Sequence, residues 1–292
     1  MRSAGTLTDL KPSKDFFVGI DSDDCAFPTM EVRHKECLIP AVVGIFGLQA
    51  VSRYVRDAAE FVTLYSKWRG TDRFRALVMI IDLISGFPAV ARAAKLPEIG
   101  ALRGWTEREA NPGNRSLKEE IGKNPDPVLM RALQWSEAVD LAAADMVVGV
   151  SPFPGVKESL ERLAVKADIM AVSAAPAETL RREWREHGMD SSVRVFAGRE
   201  SGTIRERIQR ACGGKYPESH ALMIGDAPDD LEAAKAGGAL FFPISPRHEE
   251  ESWQLFLGEG MQRFLSGGFA GAYEKKLVGE FQKYLPERPP WN

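Results

Sequence analysis

Phe16-Phe17-Val18-Gly19-Ile20-Asp21-Ser22-Asp23-Asp24 is the stretch that decides how this chain folds. Five residues without a charge run straight into three acids within four positions. A short apolar run bounded by turn-forming residues reads as a fully buried strand. A strand buried on both faces belongs in a parallel sheet covered by helices on each side. The acids then stand where such a strand leaves the sheet, at its carboxyl end.

The pattern changes after Asp24. From about Met30 to Val139 there is no convincing strand. Apolar residues recur instead at helical spacing, as in Val128, Leu129, Ala132, Leu133 and Val139. A loop rich in Gly, Pro, Asn and Arg, residues 97–116, interrupts them. From Val150 strands and helices alternate. Strands are expected at Asp168–Val172, Val193–Phe196, Ala221–Ile224 and Ala239–Phe242, with helices at Gly155–Val165, Pro176–His187, Thr203–Cys212 and Asp229–Ala236. Further helices follow from His248 to about Tyr284. This alternation predicts an α/β fold, a Rossmann-like parallel sheet with helices on both faces. The first strand is cut off from the rest by the helical block, so the block is an insertion. The expected division is residues 1–26 plus 146–292 for the sheet domain and 27–145 for an all-helical domain.

Composition narrows the possibilities. The 292 residues carry 38 Lys and Arg against 41 Asp and Glu, a net charge of −3, without the basic excess of a nucleic-acid-binding protein. The opening MRSAGTLTDLKPSKD has no apolar run of the kind a secretory signal needs. No apolar stretch reaches the ~20 residues of a membrane span. Cys25, Cys37 and Cys212 have neither paired nor metal-binding spacing. The expectation is a cytoplasmic protein that binds neither membrane nor nucleic acid.

Ligands of open parallel sheets bind beyond the carboxyl ends of the strands. Three strands end there in one chemical theme: Asp21-Ser22-Asp23-Asp24, then Ser173, then Gly225-Asp226 with Asp229-Asp230 close behind. A single Asp after a strand is ordinarily a helix cap or a turn residue. Two separate acidic clusters closing strands of one sheet are harder to explain that way. Converging carboxylates repel unless a hard cation lies among them, and oxygen ligands of this kind suit Mg²⁺.

These three segments, strand-Asp-x-Asp, strand-Ser and Gly-Asp-x-x-x-Asp, together resemble the haloacid dehalogenase-like (HAD) superfamily. The inserted helical domain resembles its caps of the first type. The resemblance implies a Mg²⁺-dependent phosphatase acting on a small phosphorylated metabolite through an aspartyl-phosphate. Asp21 matches the nucleophile. Asp23 matches the general acid/base, and its presence favours phosphoryl transfer over dehalogenation. Ser173 matches the hydroxyl that holds a phosphoryl oxygen. Asp226 matches a metal ligand, with Asp21 and the main-chain carbonyl of Asp23, and Asp230 matches the acid that holds the metal shell.

Two positions depart from the family pattern. Asp24 stands where Gly is usual, and is expected to face solvent or cap the turn. Ile204 occupies the slot of the Lys that normally pins nucleophile and phosphate. Arg199 and Arg205 are the nearest cations, with Arg205 the expected substitute. Cations at Arg33, Lys35, Arg69 and Arg73 are candidate substrate contacts from the helical domain, although exposed Arg and Lys usually form only a solvated face. Two rivals remain: a phosphomutase using the same acids, and a degenerate member that binds a phosphometabolite or a partner protein without turnover.

Overall fold

The computed structural model describes residue 7 and residues 10–291. Most of the opening segment read for a signal therefore lies outside the described residues. Five strands form one sheet: β1 (Phe16–Asp21), β2 (Ala167–Val172), β3 (Val195–Ala197), β4 (Ala221–Gly225) and β5 (Leu240–Pro243). Their order is β3-β2-β1-β4-β5, and every neighbouring pair is parallel. The acid-bearing strand is thus central. Asp21 pairs with Val172 and Ile20 with Ile224. That register brings the residues after β2 and β4 to the level of the acids after β1.

Alternation along the strands divides two cores. Phe16, Val18 and Ile20 of β1, with Ile169 and Ala171 of β2, pack with α9 (Val156–Leu163), α10 (Ala177–Glu186), α13 (Glu249–Leu255) and α14 (Met261–Leu265). Phe17, Met170 and Val172 face the other way and pack with α11 (Ile204–Cys212), α12 (Pro228–Gly237) and α15 (Ala272–Lys283). Each fully buried Phe or Ile side chain contributes about 1.5–3 kcal/mol. Gly19 shows how close the second layer comes. A methyl group there would lie 2.9 Å from Ile208 Cδ1 and 3.0 Å from Met223 Sδ.

The opposite end of the sheet is fastened by a buried carboxylate. Asp168, at the amino end of β2, accepts hydrogen bonds from Ser13 N (2.7 Å), Ser13 Oγ (2.6 Å), Lys14 N (3.1 Å) and Tyr216 OH (2.8 Å), and pairs with Arg194 Nη1 (2.7 Å). Burial alone would raise its pKa, but the Ser13, Tyr216 and Arg194 bonds outweigh it and hold the pKa below the usual value.

The chain divides into two compact units, one ending at Thr29 and resuming over Gly149–Leu285, the other Met30–Val148 with the segment that begins at Pro286. The second unit is helical among its described residues. It contains α1 (Thr29–Val32, whose first residue belongs to the sheet unit), α2 (Ile39–Ile45), α3 (Ser52–Thr63), α4 (Arg73–Ser85), α5 (Pro88–Ala93), α6 (Gly100–Arg108), α7 (Asn114–Lys123) and α8 (Pro127–Met146). Between α1 and α2 the helix widens over Arg33–Leu38, and the Ile39 N–H reaches back five residues to the His34 carbonyl. Pro40, just beyond, has no N–H to continue a tight ladder.

The final segment differs from the sequence expectation, which kept it with the sheet. Lys67 N donates to the Pro286 carbonyl (3.3 Å), Lys67 pairs with Glu287 (2.5 Å), and Trp291 lies edge-on to Phe61, with ring centroids 5.7 Å apart. An indole so close to the end of the sequence, after two prolines, offered no periodicity to read. No helix of the described residues is long and apolar enough to cross a membrane.

Candidate active site

All the acids singled out above lie within the sheet unit. Asp21, Asp226 and Asp230 each bring one carboxylate oxygen within 4.8 Å of the others. The reasons are local. Asp21 ends the central strand and Asp226 follows β4. Asp230 lies in the first turn of α12 and turns back, so that its Oδ2 accepts from Asp226 N and Ala227 N, each 3.0 Å away. It therefore caps the same helix from which it faces Asp226. Gly225 makes this possible, because a Cβ there would lie 2.4 Å from Asp230 Cβ and 2.5 Å from its Cγ.

The electrostatics fit a cation. Burial first, then the charges of Asp230, Asp226 and Asp23, push the Asp21 carboxyl well above its ordinary pKa. Burial and Asp226 push Asp230 up to about 8, against the lowering effect of the Ala227 and Asp226 amides. Three carboxylates gathered in this way present an all-oxygen donor set of the type Mg²⁺ takes.

Asp23 stands beside them, buried, with both oxygens engaged. Thr29 Oγ1 donates to Oδ1 (2.6 Å) and Ser173 Oγ donates to Oδ2 (2.8 Å). The Ser173 hydroxyl also accepts from Ala175 N at 2.9 Å, which fixes its rotamer in the turn after β2. The structure thus joins Ser173 to Asp23, a bond between residues 150 positions apart that no motif spacing predicts.

Asp24 lies in the turn but does not face solvent, and Arg205 does not stand where it was expected. Asp24 is only 1% exposed, not solvent-facing, and its φ is +54°. Its N–H donates to the Phe27 carbonyl at 2.6 Å, closing the turn. A left-handed residue explains why Gly would suit the position, and Asp is among the few other residues that tolerate it. Arg205 is exposed on α11, and its charge is felt by Asp229 and Glu232. The cation that α11 turns toward the acids is Arg207, which the sequence reading missed. Its Nη1 donates to the Ser173 and Ala197 carbonyls, each at 2.7 Å, and its charge interacts with Asp21 and Asp230. Its Nε is buried without a hydrogen-bond partner among the described residues.

Three of the four candidate cations of the helical unit, Lys35, Arg69 and Arg73, make contacts within that unit. Arg73 binds the Ser136 carbonyl and hydroxyl (3.1 Å each) and Asp140 (2.6 Å). Arg69 is buried and donates to the Leu64 carbonyl (2.7 Å). Lys35 pairs with Glu31 and donates to Tyr65 OH (3.0 Å).

No family model matches the chain, and a search of curated proteins finds no match. Solved structures similar to it include a candidate phosphoglycolate phosphatase from Lactobacillus delbrueckii subsp. bulgaricus. It is 16% identical with a TM-score of 0.46, the match covering 78% of this chain and 85% of that one. A HAD-superfamily hydrolase of subfamily IA from Geobacter sulfurreducens is 15% identical, with 79% and 88% covered and a TM-score of 0.39. A haloacid dehalogenase-like hydrolase from Streptococcus pneumoniae is 13% identical, with 82% and 90% covered and a TM-score of 0.40.

Proposed function

We propose that this chain is a HAD-like phosphohydrolase that cleaves a small organic phosphate monoester through a phosphorylated Asp21. The observation that carries the proposal is the cluster of Asp21, Asp226 and Asp230 at the carboxyl edge of the central strand, with Asp23 and Arg207 beside it. In this reading the helical unit takes the place of a cap.

An Asp21 oxygen attacks phosphorus and the ester oxygen leaves, taking a proton from Asp23. Asp23 then removes a proton from water as that water attacks the acyl phosphate, which frees inorganic phosphate and restores Asp21. Ser173 turns its hydroxyl from Asp23 to a phosphoryl oxygen, while the Thr29 hydroxyl keeps Asp23 in place. Arg207 balances the acids and fixes the loops after β2 and β3 through their carbonyls. Asp21, Asp226 and the Asp23 carbonyl would hold Mg²⁺, with Asp230 supporting the shell. When bound, the ion offsets the charge of nucleophile and substrate.

Arg207 also answers the departure at Ile204, because a cation reaches the acids from one turn further along the same helix. That favours an active enzyme over a degenerate binder. The test is phosphate release from a panel of phosphate monoesters with Mg²⁺, with wild type compared against Asp21→Asn. Turnover that is lost in the variant and with chelator supports the reading, whereas no release from any ester by folded wild type removes it. Isomerised sugar phosphate without free phosphate would identify a mutase instead.

A further inference from the structure

Ser22 separates the two carboxylates to which chemistry has been assigned, and its side chain points to the opposite face of the sheet. There it is 2% exposed, in the same layer as Ile20, Ala171 and Leu180. A hydroxyl in such surroundings needs a partner. Trp184 of α10 supplies it, with Nε1 3.0 Å from Ser22 Oγ. The indole N–H is equally buried and needs an acceptor. Its ring meets Phe27 (centroids 5.9 Å apart, 68°) and Phe196 (6.1 Å, 79°) edge-on, so it cannot swing. The backbone of Ser22 is held elsewhere. Its N–H donates to Val172 O at 3.0 Å, and its carbonyl accepts from Ala26 N and Phe27 N at 3.0 Å each.

We infer that Trp184 is a positioning residue: its indole N–H, through Ser22, sets the direction in which Asp21 and Asp23 leave the sheet. This rests on the phosphohydrolase reading for its catalytic consequence, but not for its geometry. With β2, the acid loop and α10 each gripping Ser22 at a different atom, the residue has no freedom left to pass to its neighbours. Removal of the α10 grip releases one of the three.

The experiment uses Trp184→Phe, Ser22→Ala and the double variant in the full chain. Each single change strands one buried polar group, whereas the double change strands none and keeps only the cost of the smaller ring at position 184. Melting temperature is therefore expected to fall by about 3 °C or more in the singles and to recover in part in the double. Turnover of para-nitrophenyl phosphate with Mg²⁺ behaves differently. Displaced catalytic groups lower kcat by about tenfold or more in all three variants, with KM changed less than about twofold. If kcat recovers with the melting temperature in the double variant, or Ser22→Ala leaves kcat unchanged, the bond is structural only and the inference falls. Should wild type release no phosphate, the phosphohydrolase reading fails separately. Amide exchange across residues 21–27 then decides: faster exchange in the double variant than in wild type sustains the inference, and equal protection overturns it.

Discussion

Arg207 lies in the field of Asp21, Glu200, Asp230 and Glu206, and it donates to the carbonyls of Ser173, just after β2, and Ala197, the last residue of β3. Its replacement by Met removes a charge from an acidic site, takes the guanidinium donor from the Ser173 carbonyl and leaves the Ala197 carbonyl only the longer bond from Ser173 N (3.3 Å). Hydrogen bonds to a charged group are worth about 1.5–3 kcal/mol each. Arg207→Met is expected to lower turnover on the order of 100-fold and to lower the melting temperature. Arg207→Lys is expected to recover only part of either, since an ammonium cannot span two acceptors as a planar guanidinium does. Arg205→Ala should alter turnover by less than about twofold, as for an exposed charge; an equal loss in both positions would show that Arg207 has no special part. The acids of this site were legible because their two clusters each follow an apolar run. Arg207 could have been found as well. Ile204, Ile208 and Ala211 mark the inward stripe of α11, and position 207 falls on that stripe while 205 does not.

At the level of elements, the turn from β4 into α12 is a unit in which strand end, cap and carboxylate depend on one another. Gly225→Ala puts a methyl group where Asp230 Cβ and Cγ already are. The expected result is a loss of about 1–3 kcal/mol from overpacking, with a displaced Asp230. Titration of the melting temperature with Mg²⁺ checks this. Wild type should gain stability with the ion, and Gly225→Ala and Asp226→Asn should gain little. A full magnesium response in Asp226→Asn would remove that carboxylate from the ligand set. The sequence reading placed β1, β2 and β4 to within a residue or so, because strands buried on both faces are continuous apolar runs. The wide turn over Arg33–Leu38 was not legible, since apolar spacing does not tell one widened turn from the α-helix on either side of it.

Across the whole molecule, the buried Asp168 carboxylate ties residues 13 and 14, β2, Arg194 and Tyr216 into one network. Its folded pKa lies below the unfolded value of about 3.9. A depressed carboxylate adds stability that is complete above the unfolded pKa and is lost as pH falls through the folded one. Asp168→Asn should therefore narrow the stability gap between wild type and variant only below about pH 4, with a constant gap from pH 5 to 8. Urea melts across that range measure it, and a gap that closes near neutrality would assign the effect to another group. The two-unit plan followed from the break between β1 and β2, but the path of the final segment did not, because six residues of Pro, Glu, Arg and Trp carry no period. Trp291→Ala should remove edge contacts worth about 0.5–1.5 kcal/mol each beyond burial, visible as a lower melting temperature with unchanged phosphate release.

That segment changes what kind of module the helical unit is. An insertion enclosed by two junctions can be cut out of one gene and placed in another as a single cassette. Here the chain passes from one unit to the other at Thr29/Met30, at Val148/Gly149 and again at Leu285/Pro286. A graft of residues 30–148 alone would arrive with Phe61 and Phe87 stripped of Trp291. The heritable parcel is discontinuous, so recombination that exchanges this unit for another must carry both of its segments, 30–148 and the one that begins at Pro286, or rebuild an aromatic seat left bare.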